Sequence, residues 1–195
     1  MTRRPRTFAV VLVLIGGAVG LISSTQTWLT VTLASVEGDQ LTVAGADAVP
    51  VLAPLSLAAL ALGAALTIVG RVLTYAFGAL TTLIGAALAM LSARVGLDAP
   101  VESYASTVTE ATGITGADAV RDLVASSAVT PWVVVTVAAA VVMVAAGLLT
   151  LGGAHRWSGT SGRRFRTDAE PAGGSRPHDA IDSWDELSRG EDPTA

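Results

Sequence analysis

Residues 51–92 read VLAPLSLAALALGAALTIVGRVLTYAFGALTTLIGAALAMLS, and one arginine, Arg71, interrupts an otherwise uncharged apolar run. As a single helix this stretch would be about 60 Å long, twice the roughly 30 Å hydrocarbon thickness of a bilayer. A tight turn at Arg71 resolves the excess. It gives two membrane spans, 51–70 and 72–92, with the arginine at headgroup level and Tyr75 near the same interface. Pro50 and Pro54 lie at the entrance of the first, where proline is tolerated in a helix.

The same reading extends outward. Phe8–Ile22 is apolar or small after the basic start Arg3, Arg4 and Arg6, and the stretch runs on to Trp28, which sits where an interfacial aromatic belongs, giving a span over 8–28. A cleaved signal peptide shares that start, but no small-x-small cleavage site follows. Pro5 and Arg6 also spoil the Arg3-Arg4 pair as a twin-arginine signal. Pro131-Trp132 opens a fourth run, giving a span over 131–153. Composition agrees, with 51% apolar residues, 14% charged residues and a mean hydropathy of +0.59. Ordinary soluble domains carry about 25% charged residues. The fold class is therefore an all-α integral membrane protein built as a four-transmembrane-helix bundle. Its domains are a membrane domain over 1–157 and a disordered cytoplasmic tail over 158–195, rich in Gly, Ser, Pro and charge.

Two loops project to one side. In 29–50, Leu29, Val31 and Leu33 alternate with threonines, Glu37-Gly38-Asp39 supplies turn chemistry, and Leu41 and Val43 resume the alternation. This is a β-hairpin pattern, and a lone hairpin needs support from the membrane surface or from the second loop. In 93–130, Asp98-Ala99-Pro100 with Glu102 starts a helix that Gly113 stops. Thr115, three residues before Asp118, caps a second helix with the stripe Ala119, Val120, Leu123 and Val124.

Basic residues orient the chain. The N-terminal arm has three arginines, the 71 turn has one, and 155–166 has four. The first loop has none, and the second has Arg94 and Arg121 against five acids. The positive-inside rule puts both termini in the cytoplasm of a cell-membrane protein and both loops outside.

Reactive chemistry is sparse. The chain has no cysteine, and its two histidines, His155 and His178, lie in or beside the tail. No span has an ionisable residue at its centre, where proton relays and ion paths would need one. Phosphate-loop, HExxH and nucleophile-elbow signatures are missing. Asp118 and Asp122 share a helical face, which is read as a solvated face. We expect no catalytic residue, cofactor or metal, no enzyme activity and no nucleic-acid binding.

Two features concern packing and partners. Gly16 and Gly20 form a Gly-x-x-x-Gly step, which serves close helix packing either within the chain or in a homo-oligomer. Ala58, Ala61 and Ala65 with Gly78, Gly85 and Ala89 permit a close hairpin of the second and third spans. Ser23 to Trp28 is a polar exit from the first span. It either lines a site near the outer leaflet or is a helix end whose hydroxyls bond back to the backbone. In the tail, Ile181, Trp184 and Leu187 fall on one helical face among acids, a pattern for a short motif that folds on a cytosolic protein.

The chain resembles the actinobacterial tryptophan-associated transmembrane protein family, also known as tryptophan-operon membrane proteins. The resemblance rests on Ser24-Thr25-Gln26-Thr27-Trp28, on the span from Pro54 to Arg71, and on Trp184-Asp185-Glu186-Leu187-Ser188-Arg189-Gly190-Glu191-Asp192-Pro193-Thr194. The family is named for genes beside tryptophan-synthesis genes, which implies association with that pathway and carries over no catalytic residue. The leading expectation is a non-enzymatic membrane protein that docks cytosolic enzymes or assists movement of an aromatic metabolite. The alternatives are a component of a small-molecule permease and an envelope structural protein.

Overall fold

The computed structural model describes residues 4–34 and 40–153. The chain divides into two units, Met1–Gly159 and Thr160–Ala195, and all described residues belong to the first. The tail expected from 158 onward lies outside them.

Four apolar helices dominate: α1 (Arg4–Ser24), α3 (Leu52–Ala65), α4 (Arg71–Asp98) and α7 (Pro131–Gly153). Three contain stretches long and apolar enough to cross a membrane, Arg6–Ser24, Val72–Asp98 and Pro131–Gly153; α3 is shorter, at 14 residues. Polar elements occupy the connections. β1 (Thr27–Leu33), β2 (Gln40–Ala44) and the single turn α2 (Gly45–Ala48) link α1 to α3. A 3-10 turn (Val101–Ser103), α5 (Ala105–Thr112), α6 (Ala117–Leu123) and β3 (Val124–Val129) link α4 to α7.

Glycine sets the helix order. Gly16 of α1 faces Met143 and the Ala139 carbonyl of α7, while Gly17 and Gly20 face Ser56 and Leu60 of α3. On α4, Gly78 meets Thr150 and Leu151, and Gly85 lies where a Cβ would stand 3.0 Å from the Ala140 oxygen and the Val144 nitrogen. The row is thus α3–α1–α7–α4, each neighbour antiparallel to the next. In an apolar solvent helices attract through close packing rather than the hydrophobic effect, and small residues allow it. Hydroxyls inside the row bond back one turn: Thr74 to Gly70, Thr81 to Phe77, Thr82 to Gly78 and Thr150 to Ala146, at 2.8–3.0 Å.

The sheet order β2-β1-β3 follows the helix order, since β2 leads through α2 to α3, β1 continues α1 and β3 enters α7. β1 is the central strand and pairs antiparallel with both neighbours. Leu29, Val31 and Leu33 are buried with Val43 in a core that includes Val101, Tyr104, Val108 and Val120. Loops and helices therefore build one folded cap at one end of the row.

Several expectations are corrected. The first helix stops at Ser24 rather than 28, because Ser24 and Thr25 bond back to Leu21 and Ile22 and the chain then turns into β1. Trp28 is fully buried and is not an interfacial aromatic. The second helix ends at Ala65, followed by turn residues, not at 70; the third runs past Ser92 to Asp98, with Gly96 against Val133. The expected hairpin is two strands of three. Val124 belongs to β3, not to a helical stripe, because its backbone pairs with Leu33. The close pairing of the second and third spans is replaced by α4 on α7, since Gly78 and Gly85 face α7. Gly116, not Thr115, precedes α6, with no side-chain cap. Gly113 does end α5, in the left-handed region at φ 74°.

α4 ends differently. Its C-cap is Ala99, at φ 39° and ψ 60°, immediately before Pro100. Alanine strains in this region where glycine does not, by roughly 1–2 kcal/mol. Glycine costs some of that back through the unfolded chain. Ala99→Gly is expected to stabilise the cap by up to about 1 kcal/mol, read as a raised midpoint in thermal unfolding of detergent-solubilised protein.

Candidate functional site

The densest polar network lies where the cap meets the helices. α1 ends at Ser23 and Ser24, β1 begins after two intervening residues, and α7 starts after β3. These three elements bring together Ser23, Trp28 and Thr136, all buried. Trp28 Nε1–H donates to Ser23 Oγ at 2.9 Å and to the Ser23 carbonyl oxygen at 3.1 Å. Ser23 Oγ lies 2.6 Å from Thr136 Oγ1. Thr136 Oγ1 in turn donates to the Trp132 carbonyl oxygen at 2.9 Å. A hydroxyl has one proton, so the directions are fixed. Thr136 gives its proton to Trp132, Ser23 gives its proton to Thr136, and Ser23 Oγ is left to accept from Trp28.

Backbone contacts surround this chain. Thr130 N–H donates to the Trp28 carbonyl at 2.8 Å, and Thr130 Oγ1 donates to Thr27 O at 2.6 Å. Gly45 opens α2 against the indole. A Cβ there would stand 2.7 Å from Trp28 Nε1 and from the Ser23 oxygen, so only glycine fits. The network joins α1, β1, α2 and α7 in one buried, fully hydrogen-bonded knot, and such networks rigidify a core when every member is satisfied. Its chemistry is positional: each hydroxyl proton is committed to a hydrogen bond.

Of the polar exit, Ser24 and Thr25 bond back to helix carbonyls, and Ser23 and Trp28 enter the knot. Sequence reasoning missed Thr136 and Gly45. A signal existed for Thr136: it is the one hydroxyl between Pro131 and Met143, in an otherwise apolar run.

A second cluster marks the other end of the row. Arg6 Nε and Nη2 donate to the Leu66 carbonyl at 3.1 and 2.6 Å, and Nη2 donates to Val69 O at 3.0 Å. A guanidinium on the carbonyls ending α3 satisfies groups with no helical partner and complements the helix dipole. Gly16 and Gly20 are both directed within the chain, toward α7 and α3 respectively. Ile181, Trp184 and Leu187 lie outside the described residues. Among the described residues no three His, Cys, Asp or Glu side chains group to hold a metal. Arg121 and Asp118 form an ion pair at 2.9 Å, and it is exposed.

Apolar helices with a hydroxyl-bonded interior and a folded polar cap at one end define a polytopic integral membrane protein. The profile of the tryptophan-associated transmembrane protein family matches residues 10–194, and the chain belongs to that family. No curated protein and no solved structure matches it.

Proposed function

We propose that the chain is a non-enzymatic protein of the cell membrane, associated with tryptophan biosynthesis, that crosses the bilayer four times and docks a cytosolic enzyme through its tail. The family description supports the link to tryptophan, and the acidic Ile181–Trp184–Leu187 face supports the docking.

The observation that carries the topology is Arg6 on the Leu66 and Val69 carbonyls. It ties the N-terminal arm to the 66–70 turn. The depth of α3 follows from its contacts: Ser56 sits at Gly20 and Leu66 at Arg6. From Leu52 through its terminal turn to Val69 is 18 residues, about 27 Å at helical rise, close to the hydrocarbon thickness. With α3 as the fourth span, Arg6 and Arg71 fall at one end and the folded cap at the other. The basic end is then cytoplasmic, and α7 ends there.

A short segment that folds on binding draws its affinity from few buried anchors, and losing a tryptophan anchor costs about 2 kcal/mol or more, roughly thirtyfold in affinity. Trp184→Ala is therefore expected to abolish capture of a tryptophan-pathway enzyme from detergent extracts, with expression and membrane insertion unchanged. Deletion of the last sixteen residues should do the same. Equal recovery with Trp184→Ala and wild type would refute docking. Unaltered capture with changed tryptophan or aromatic-analogue flux in intact cells would favour the permease reading.

A further inference from the structure

Two arginines bracket the uncharged part of α4. The 22 residues between Arg71 and Arg94 carry no charge, and they span about 33 Å at helical rise, close to the hydrocarbon thickness. Arg94 therefore stands at the headgroup plane on the side of the cap. Asp98 stands one turn farther from the hydrocarbon, about 6 Å along the axis.

The packing of α4 fixes which way both residues face. Gly78 and Gly85 meet α7, Gly96 lies against Val133, and Ser92 and Val95 are buried. With about 3.6 residues per turn, Arg94 and Asp98 fall on the opposite side of the helix, in line with the exposed Leu83 and Met90. Because α4 is the last helix of the row, this face meets lipid in the bilayer. Both side chains are exposed, and neither has a hydrogen-bond or ion-pair partner among the described residues. Opposite charges four residues apart on a helix can pair, yet these two do not. Asp98 has no evident structural task either. It ends a helix, where the dipole disfavours a carboxylate, and the 3-10 turn that follows has no side-chain cap.

We propose that Arg94 and Asp98 form a headgroup site for a phospholipid that carries a primary amine beyond its phosphate, of the phosphatidylethanolamine class. In such a lipid the phosphate lies next to the acyl chains and the ammonium farther out, which is the order of the two side chains along α4. The guanidinium at the edge of the hydrocarbon receives the phosphate in a charge-assisted contact, and the carboxylate one turn out receives the ammonium. Met90, one turn below Arg94, lies along the acyl chain. An anionic lipid without an amine would satisfy Arg94 and leave Asp98 beside added negative charge. The site rests on α4 crossing the bilayer, and not on the crossing of α3 or on the tail.

The absence of cysteine allows a probe at a single position. Full-length Met90→Cys labelled with bimane is placed in nanodiscs of equimolar phosphatidylethanolamine and phosphatidylglycerol, one of the two having brominated acyl chains. Brominated phosphatidylethanolamine is expected to quench about threefold more strongly than brominated phosphatidylglycerol, the size of effect that exposed charge pairs supply. Bimane at Leu57→Cys, on the exposed side of α3, should show no preference. Added to Met90→Cys, Asp98→Asn and Arg94→Gln should each abolish the preference, and both positions are exposed, so the fold stays intact. Equal quenching by the two lipids at position 90 would overturn the proposal, as would an undiminished preference with Asp98→Asn or the same preference at position 57. A preference for phosphatidylglycerol would mean that Arg94 acts alone, and the amine assignment would be wrong. Quenching by neither lipid would put Met90 outside the bilayer, and the proposal would fall with that placement of α4.

Discussion

Gly147→Leu is expected to separate α7 from α4 and destabilise the helix row by about 3 kcal/mol or more. Gly147 is buried where α7 meets Gly78 and Thr82 of α4. A Cβ there would overlap Thr82 Oγ1 and stand 2.9 Å from both the Gly78 carbonyl oxygen and the Thr82 nitrogen. Backbone atoms cannot rotate aside as a side chain can, so the helices must part. Parting them also breaks the contacts at Gly85 and Gly78, which lie on the same seam. Gly152→Ala is the control on the same helix. Nothing lies within 4 Å of a Cβ at Gly152, and helix propensity favours alanine by up to about 1 kcal/mol. Equilibrium unfolding in detergent should show a large loss for Gly147→Leu and none for Gly152→Ala. Equal behaviour of the two variants would mean that α4 and α7 do not pack through this seam.

Trp28→Ala is expected to cost about 3–5 kcal/mol, as for a fully buried tryptophan removed from a core. The loss should concentrate in the cap and its attachment, because Trp28 packs there and Ser23 and Thr136 depend on its N–H for their order. Trp28→Phe isolates the hydrogen bond. It keeps most of the apolar volume but deprives Ser23 Oγ and the Ser23 carbonyl of a donor, at about 1–3 kcal/mol. Thr136→Val removes the acceptor for the Ser23 proton. Combined with Trp28→Phe it should cost less than the sum of the two single changes, since both break one chain. Limited proteolysis of the loops reads the effect directly: cleavage within 99–130 should accelerate for Trp28→Ala. A cap as resistant as wild type would show that the knot does not hold it.

The apolar runs were legible because hydrocarbon length and charge are sequence-level quantities. Arg71 between two twenty-residue runs has few solutions in a bilayer. The alternation in Leu29–Leu33 was legible for the same reason, since period two survives in a half-buried strand. β3 was not. Val-Ala-Ser-Ser-Ala-Val has no alternation, its side chains are mostly exposed, and it is a strand only because β1 offers a paired edge. The helix order was equally hidden. Every run carries small residues, and glycine spacing says that a helix can be approached closely without saying by which neighbour. Trp28 was misread because an aromatic at the end of an apolar run fits the interfacial belt. Its burial depends on Gly45 and Thr136, which are distant in sequence. The tail motif rests on sequence alone.

The central claim is that α3 crosses the bilayer and returns the chain to the basic side at 66–70. The absence of cysteine makes single-site labelling clean. With an impermeant maleimide, Gly38→Cys and Thr112→Cys should label in intact cells. Gly70→Cys and Thr160→Cys should label only after lysis. Labelling of Gly70→Cys or Thr160→Cys in intact cells would contradict the four-crossing account.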